Sequence, residues 1–121
     1  MWTYQILNGV ILNPQGSWMG TGYAGLGEDK DQPADEAVKG QGPLPKGIYT
    51  MGTMRDDPVM GRDVIPLTPD PANEMHGRSG FYIHGDSVQH PGMASHGCIV
   101  TAHPTRISMN DSDDRTLKVM A

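Results

Sequence analysis

The residues best able to do chemistry crowd into one segment. Between Ile83 and Ile99 lie three of the five histidines and the only cysteine of the chain. A lone cysteine cannot form an intramolecular disulfide, which leaves Cys98 for packing, metal ligation or nucleophilic chemistry. The thiolate is the reactive form, and at neutral pH it needs a neighbouring base, a duty suited to imidazole. Two imidazoles are near in sequence: His96, two residues before Cys98, and His84, fourteen before it. In an extended backbone His96 and Cys98 would share a face. The intervening Gly97 instead predicts a sharp turn in which the Gly97 and Cys98 amides converge on a developing oxyanion, with His96 shaping that side. His84 ends the apolar run Phe81-Tyr82-Ile83, which reads as a strand. It is therefore the expected base, its ring oriented by the carbonyl of Gly85 or the carboxylate of Asp86.

Two other readings use the same residues. His84, Asp86, His90, His96 and Cys98 offer enough nitrogen, oxygen and sulfur for zinc, which would make the site that of a zinc-dependent peptidase. Their spacing argues against it, because no His-x-x-x-His pair occurs and glycines separate the candidates. The third reading is a small non-catalytic β binding domain with an incidental cysteine. His76 and His90 read as solvent-exposed loop residues, and His103, beside Pro104, as a helix start. Tyr82, on the strand face of His84, Tyr23 and Ser95 are further candidates for substrate contact, although tyrosines at such positions more often pack.

The elements that must position these groups are short. With 16 Gly and 10 Pro in 121 residues, long helices are disfavoured, and the length suits one domain with one modest core. Trp2, Tyr4 and Ile6, then Val10 and Leu12, flank Asn8-Gly9, which predicts a hairpin. A third strand is expected through Trp18, running into a glycine-rich turn. This is followed by an acidic segment (Asp29, Asp31, Asp35, Glu36) that reads as a solvated loop or a recognition surface for a partner protein. Pro43-Leu44-Pro45 feeds a strand at Ile48-Tyr49-Thr50-Met51. Residues 55–75 read as loop around a short strand at Val64-Ile65-Pro66-Leu67. Further strands are expected at Cys98-Ile99-Val100 and Thr116-Leu117-Lys118-Val119, with a helical turn or two from His103 to Met109. The sum is a mainly β domain over 1–121, a sandwich or barrel-like sheet with one short helix.

The net charge of −5 lacks the basic stripe that phosphate neutralisation requires, so nucleic acid is a poor partner. No apolar run approaches the roughly 20 residues that span a bilayer, which argues against membrane insertion. Met1-Trp2-Thr3-Tyr4-Gln5 has neither a cationic start nor a following apolar run of leader length. The expectation is synthesis in the cytoplasm, with any action outside needing another route.

Ile83-His84-Gly85, a loop, and then Ser95-His96-Gly97-Cys98-Ile99 resembles the signature of the L,D-transpeptidase catalytic domain: His-Gly, a spacer, and Ser-x-Gly-Cys. Gly22-Tyr23-Ala24-Gly25, Gly42-Pro43-Leu44-Pro45-Lys46-Gly47-Ile48-Tyr49, Gly77-Arg78-Ser79-Gly80-Phe81 and the closing Arg106-Ile107 with Leu117-Lys118-Val119 resemble a small branch of that superfamily that includes type VI secretion effectors. The resemblance implies an L,D-transpeptidase-like β-sandwich. It further implies that Cys98 attacks the bond after meso-diaminopimelate in a peptidoglycan stem tetrapeptide, forming an acyl-enzyme and releasing D-alanine. Water then gives L,D-carboxypeptidase activity, and an amine gives transpeptidation. No cofactor is implied; the implied partners are secretion machinery and an immunity protein, and the implied site of action is the periplasm of a target bacterium. His84 carries over as base, Cys98 as nucleophile and the Gly85 carbonyl as orienting group. Where many members continue Gly-Cys-Ile-Arg, this chain has Val100 after Ile99, so the substrate carboxylate is expected to fall to Arg78 or Arg106.

Overall fold

A computed structural model describes all 121 residues. Nine strands and one α-helix follow in the order β1 (Trp2–Gln5), β2 (Val10–Leu12), β3 (Trp18–Ala24), β4 (Gly47–Met51), β5 (Arg55–Asp57), β6 (Gly61–Pro69), β7 (Tyr82–His84), β8 (Ile99–Thr101), α1 (His103–Asn110) and β9 (Thr116–Met120). The sheet runs β4-β9-β1-β2-β3-β8-β7-β6, and β6 pairs back onto β4, so eight strands close into a barrel with β5 appended to β6. The mainly β architecture with one short helix is the one the sequence predicts, and of the two closures left open the barrel is the one formed. Closure removes the unpaired edges that an open sheet of short strands would present.

Local chemistry explains most of the element positions. At the β1–β2 hairpin the Asn8 side chain accepts from the Val10 amide at 3.0 Å, while Gly9 takes φ +72°. β3 departs from expectation by continuing as strand through its glycines to Ala24 instead of turning. Gly22 makes this possible: it donates to the Gly9 carbonyl at 2.8 Å, and a Cβ there would stand 2.3 Å from the Val100 carbonyl. The hairpin and β8 both press against a backbone with no side chain in the way.

The region 55–75 is likewise more ordered than the sequence suggests, since β5 and the nine-residue β6 replace most of the expected loop. Pro66 and Pro69 look like strand breakers because they cannot donate to a ladder. The fold accommodates Pro66 through a side chain. Gly52 donates to the Pro66 carbonyl at 2.8 Å, and the bond that Pro66 cannot return to Gly52 is supplied by Arg115, whose Nη2 lies 2.6 Å from the Gly52 carbonyl. The same guanidinium donates to the Met109, Asn110 and Ser112 carbonyls and so caps the end of α1.

A cluster of 17 buried residues fills the barrel, with Tyr4, Ile11, Tyr49, Ile65, Ile83, Ile99 and Leu117 among the most enclosed. One member is poorly satisfied. The Tyr4 hydroxyl is buried without a hydrogen-bond partner, as is Thr3 Oγ1, and burial pushes the Tyr4 phenol far above its ordinary pKa. A buried polar group without a partner keeps its desolvation cost and gains nothing in return. Tyr4→Phe is therefore expected to stabilise the protein by about 1 kcal/mol, read as a higher urea midpoint at unchanged slope. A lower midpoint would show that the hydroxyl makes a stabilising interaction.

Candidate active site

β7 and β8 run parallel, with Ile83 opposite Ile99 and His84 opposite Val100. Parallel neighbours need a crossover, and here residues 85–98 supply it as an irregular segment carrying the chemistry. His84 is the last residue of β7, and Cys98 immediately precedes β8. Both open onto one cavity of about 750 Å³, which Gly40, Gly77, Arg78, Gly80, Phe81, Asp86 and His96 also line. Both sequence-predicted residues thus line this cavity, although no hydrogen bond joins imidazole and thiol: the hydrogen bond of Cys98 Sγ runs to the Gly80 carbonyl at 3.9 Å.

The imidazole is fixed by its other nitrogen. His84 Nδ1 lies 2.8 Å from the Gly85 carbonyl, which can only accept, so Nδ1 carries the proton and Nε2 keeps its lone pair. Asp86, the other candidate for this orienting role, is occupied elsewhere. It accepts from Tyr23 Oη at 2.6 Å and from the amides of Ser87 and Gly92. The Tyr23 hydroxyl also accepts from the Ala94 amide at 2.9 Å, and Lys30 Nζ sits 4.2 Å above the Tyr23 ring. Burial and the Asp86 bond together push the Tyr23 phenol up to about 12. Tyr23 was expected as a substrate contact; its hydroxyl instead staples the crossover segment to β3, which leaves it no donor for a ligand.

Three other expected substrate contacts are spent on the scaffold. Ser95 is fully buried: its Oγ accepts from the Gly25 amide at 2.9 Å and the Gly97 amide at 3.0 Å, and donates to the Cys98 carbonyl at 2.6 Å. Arg78, 8% exposed, donates from its two terminal nitrogens to the carbonyls of Glu36, Pro43, Gly42 and His96, with the guanidinium 5.1 Å from the Phe81 ring centre. Arg106, 6% exposed, donates to the Asp63 carbonyl at 2.9 Å and the Thr101 carbonyl at 2.6 Å, outside the cavity lining. Tyr82 packs its ring against the core cluster; its backbone amide, and not its ring, faces the cysteine sulfur.

The oxyanion side also differs from expectation. Gly97 does adopt a glycine-only conformation, φ +137°, but its amide is committed to Ser95. The amides directed at the sulfur are those of Tyr82 and of Cys98 itself. Position 82 faces Pro66 across the β6–β7 ladder, and Leu67 bonds the Phe81 carbonyl at the next position, so the Tyr82 amide is left pointing toward β8. His96, exposed at the rim, accepts no such role from its ring: Nδ1 lies 3.0 Å from the Gly40 carbonyl.

The electrostatics favour a neutral pair. Burial pushes the Cys98 thiol above its ordinary pKa, only partly opposed by the Tyr82 amide and the Arg78 charge. Burial pulls the His84 imidazole below its ordinary value; the Gly85 bond works against this, and the Arg106 cation works with it. Thiol and neutral imidazole are thus the resting forms, not a preformed thiolate–imidazolium pair.

The remaining histidines find other partners. His76, expected in solvent, is half-buried with Nε2 2.6 Å from Glu36, which also pairs with Lys46. His103 starts α1 and contacts Asp63 at 2.7 Å, and His90 stays exposed. Asp31 accepts from the Ala24 amide at 3.0 Å, so it and Glu36 are structural members of a segment expected to be a solvated loop or a partner surface. No group of three or more His, Cys, Asp or Glu side chains converges in a way that could hold a metal ion. Sequence reasoning missed Lys39, Ser79, Val59 and Met60 in the cavity wall. The signal for the last two was Asp57-Pro58 with Gly61, a turn whose Asp57 Oδ1 accepts from the Val59 and Met60 amides.

A closed barrel with a thiol and an imidazole opening onto one cavity describes a class of site, and comparison with known families gives the chain its place. The sequence model of the Tlde1 domain matches residues 19–120, and the chain belongs to that family. The match takes in the whole cavity and leaves out β1 and β2. Comparison with curated proteins returns no match. No helix is long and apolar enough to cross a membrane.

Proposed function

We propose that the protein is a cysteine acyltransferase or peptidase acting on peptidoglycan stem tetrapeptides, with Cys98 as nucleophile and His84 as base. The observation that carries this reading is the shared cavity in which Cys98 Sγ and a His84 ring anchored on Gly85 both open, leaving Nε2 without a bond. The missing Cys98–His84 bond is compatible with it, because catalytic hydrogen bonds in substrate-free sites are commonly long and tighten on binding.

As the Cys98 sulfur attacks the carbonyl carbon of the diaminopimelyl–D-alanine bond, its proton passes to His84 Nε2. The Gly85 carbonyl stabilises the imidazolium formed. The Tyr82 and Cys98 amides, already directed at the sulfur, are the donors nearest the developing oxyanion. Collapse breaks the C–N bond, His84 returns the proton to the departing amine, and D-alanine leaves behind a thioester. Water, activated by the same imidazole, hydrolyses the thioester; an amine acceptor gives a new peptide bond. The glycine-rich wall formed by Gly40, Gly77 and Gly80 suits an extended peptide, since it lets backbone approach backbone.

Membership in the Tlde1 family is consistent with a type VI secretion effector, a role that brings secretion machinery and an immunity protein as partners and the periplasm of a target cell as the place of action. Mass analysis of defined tetrapeptide muropeptides incubated with the protein tests the chemistry. The expected product is the tripeptide with free D-alanine, or a cross-linked or exchanged species when an amine is supplied. Unchanged tetrapeptide over a long incubation would sink the assignment.

A further inference from the structure

Two cations with aliphatic stems line the cavity, Arg78 and Lys39, and they differ in what their donors do. Arg78 is buried with both terminal nitrogens given to four carbonyls, so it is a brace of the wall and not a receptor. Lys39 is exposed at the rim and lies over the bare backbone of Gly77, with Nζ 3.8 Å from the point where a Cβ at that position would stand. It takes part in none of the ion pairs of the protein and in none of its side-chain hydrogen bonds. Glu36, three residues before it, and Asp86, in the lining of the same cavity, are both engaged elsewhere. Glu36 holds Lys46 and His76, and Asp86 holds Tyr23 and the amides of Ser87 and Gly92.

We propose that Lys39 is the specificity-determining cation of the cavity, pairing with a carboxylate of the peptide that Cys98 attacks. The inference rests on the acyl-transfer reading above and adds the residue that selects an acidic donor. Its physical basis is an unpaired ammonium on the wall of a cavity in a chain of net charge −5. The overall field repels an anionic peptide, and a local positive group is what would retain one. The donor offers two carboxylates: the terminal one on the leaving D-alanine, and the one on the diaminopimelate side chain. Both are the same chemistry, and amidation separates them.

The experiment measures binding on the full chain carrying Cys98→Ala, so that its outcome does not depend on turnover. Titration calorimetry is run with the tetrapeptide, with its C-terminal amide, and with the peptide amidated on the diaminopimelate side chain, each with and without Lys39→Gln. The expected result is about fivefold weaker binding of the parent peptide on Lys39→Gln, an exposed charge pair being lost. One of the two amides should show the same loss on the Lys39 protein and no further loss on Lys39→Gln, which identifies the carboxylate concerned. Equal affinity of both proteins for all three peptides overturns the proposal, as does the absence of binding to either. Release of D-alanine by the unmodified chain decides the acyl-transfer reading separately. Lys39 lies on an exposed loop position, so Lys39→Gln is expected to keep the parent's thermal midpoint.

Discussion

Cys98→Ala is expected to abolish D-alanine release, and His84→Ala to lower it by about 10²–10⁴-fold, with both proteins folded. Without the sulfur no acyl-enzyme can form, so only adventitious hydrolysis remains. Without the imidazole the sulfur is still present, but the general-base contribution, about 10²–10⁴ in rate, is lost. His84→Asn is a useful companion, because it can keep a donor for the Gly85 carbonyl while supplying no base. The pH dependence of alkylation separates a lost base from a damaged nucleophile. Burial raises the Cys98 pKa, so the thiolate fraction is small near neutrality and grows with pH; the iodoacetamide rate should still be climbing at about pH 9 in the parent and in His84→Asn alike. The acid limb of turnover has the opposite origin. His84, held below its ordinary value by burial and by Arg106, is protonated only below the usual imidazole range, so activity should persist below about pH 6.5 before it falls. Asp86 from the crossover segment and Asp57 from β5 pull that pKa upward and bound the effect. Exported to the periplasm of a test bacterium, the parent chain is expected to arrest growth and Cys98→Ala to be harmless. Wild-type D-alanine release by both variants would remove these two residues from the mechanism.

The pair proposed as nucleophile and base stands out in the sequence because each residue is signalled locally. A lone cysteine after Ser-His-Gly and a histidine closing an apolar run are patterns of a few residues, and the parallel register of β7 and β8 brings them to one cavity. The strands were legible for the same reason, as Asn8-Gly9 and the apolar runs around Ile48, Ile83 and Leu117 show. What failed were statements about side-chain employment. Ser95, Arg78, Arg106 and Tyr23 all look like ligands for a substrate in the sequence. In the fold each is engaged by groups between 2 and 71 residues away in sequence, most of them backbone, such as Gly25 for Ser95 and Glu36 for Arg78. Irregular segments leave amides and carbonyls that strands would have paired, and polar side chains meet them first. Pro66, inside an expected strand, is accommodated in a related way, since Arg115 supplies from a distance the donor that it lacks. A motif names the chemistry of a residue; only closure shows which of its donors are left over.

Gly97→Ala tests that argument where the site is most constrained. At φ +137° an alanine is strained before any contact is considered. Its Cβ would also stand 2.7 Å from Arg78 Nη2, 2.9 Å from Phe81 Cε1 and 3.0 Å from the Gly42 carbonyl. The last is backbone, and Arg78 cannot step aside without releasing carbonyls of the 36–43 segment and of His96. Strain and collision together are expected to cost about 2–4 kcal/mol of stability, read from urea unfolding. The displaced turn carries Cys98, so the protein that remains folded should also lose about a hundredfold in turnover, since misplacement on the order of 1 Å is enough for that. Gly16→Ala supplies the comparison: φ is +84° there, but nothing lies within 4 Å of the added atom, so only the backbone cost of about 1 kcal/mol applies and activity should be retained. If the two variants lost stability and turnover equally, the packing of Arg78 and Phe81 behind the turn would have no part in holding the sulfur. The predicted difference between them measures how far a buried cation and a ring behind the turn set the position of the Cys98 sulfur.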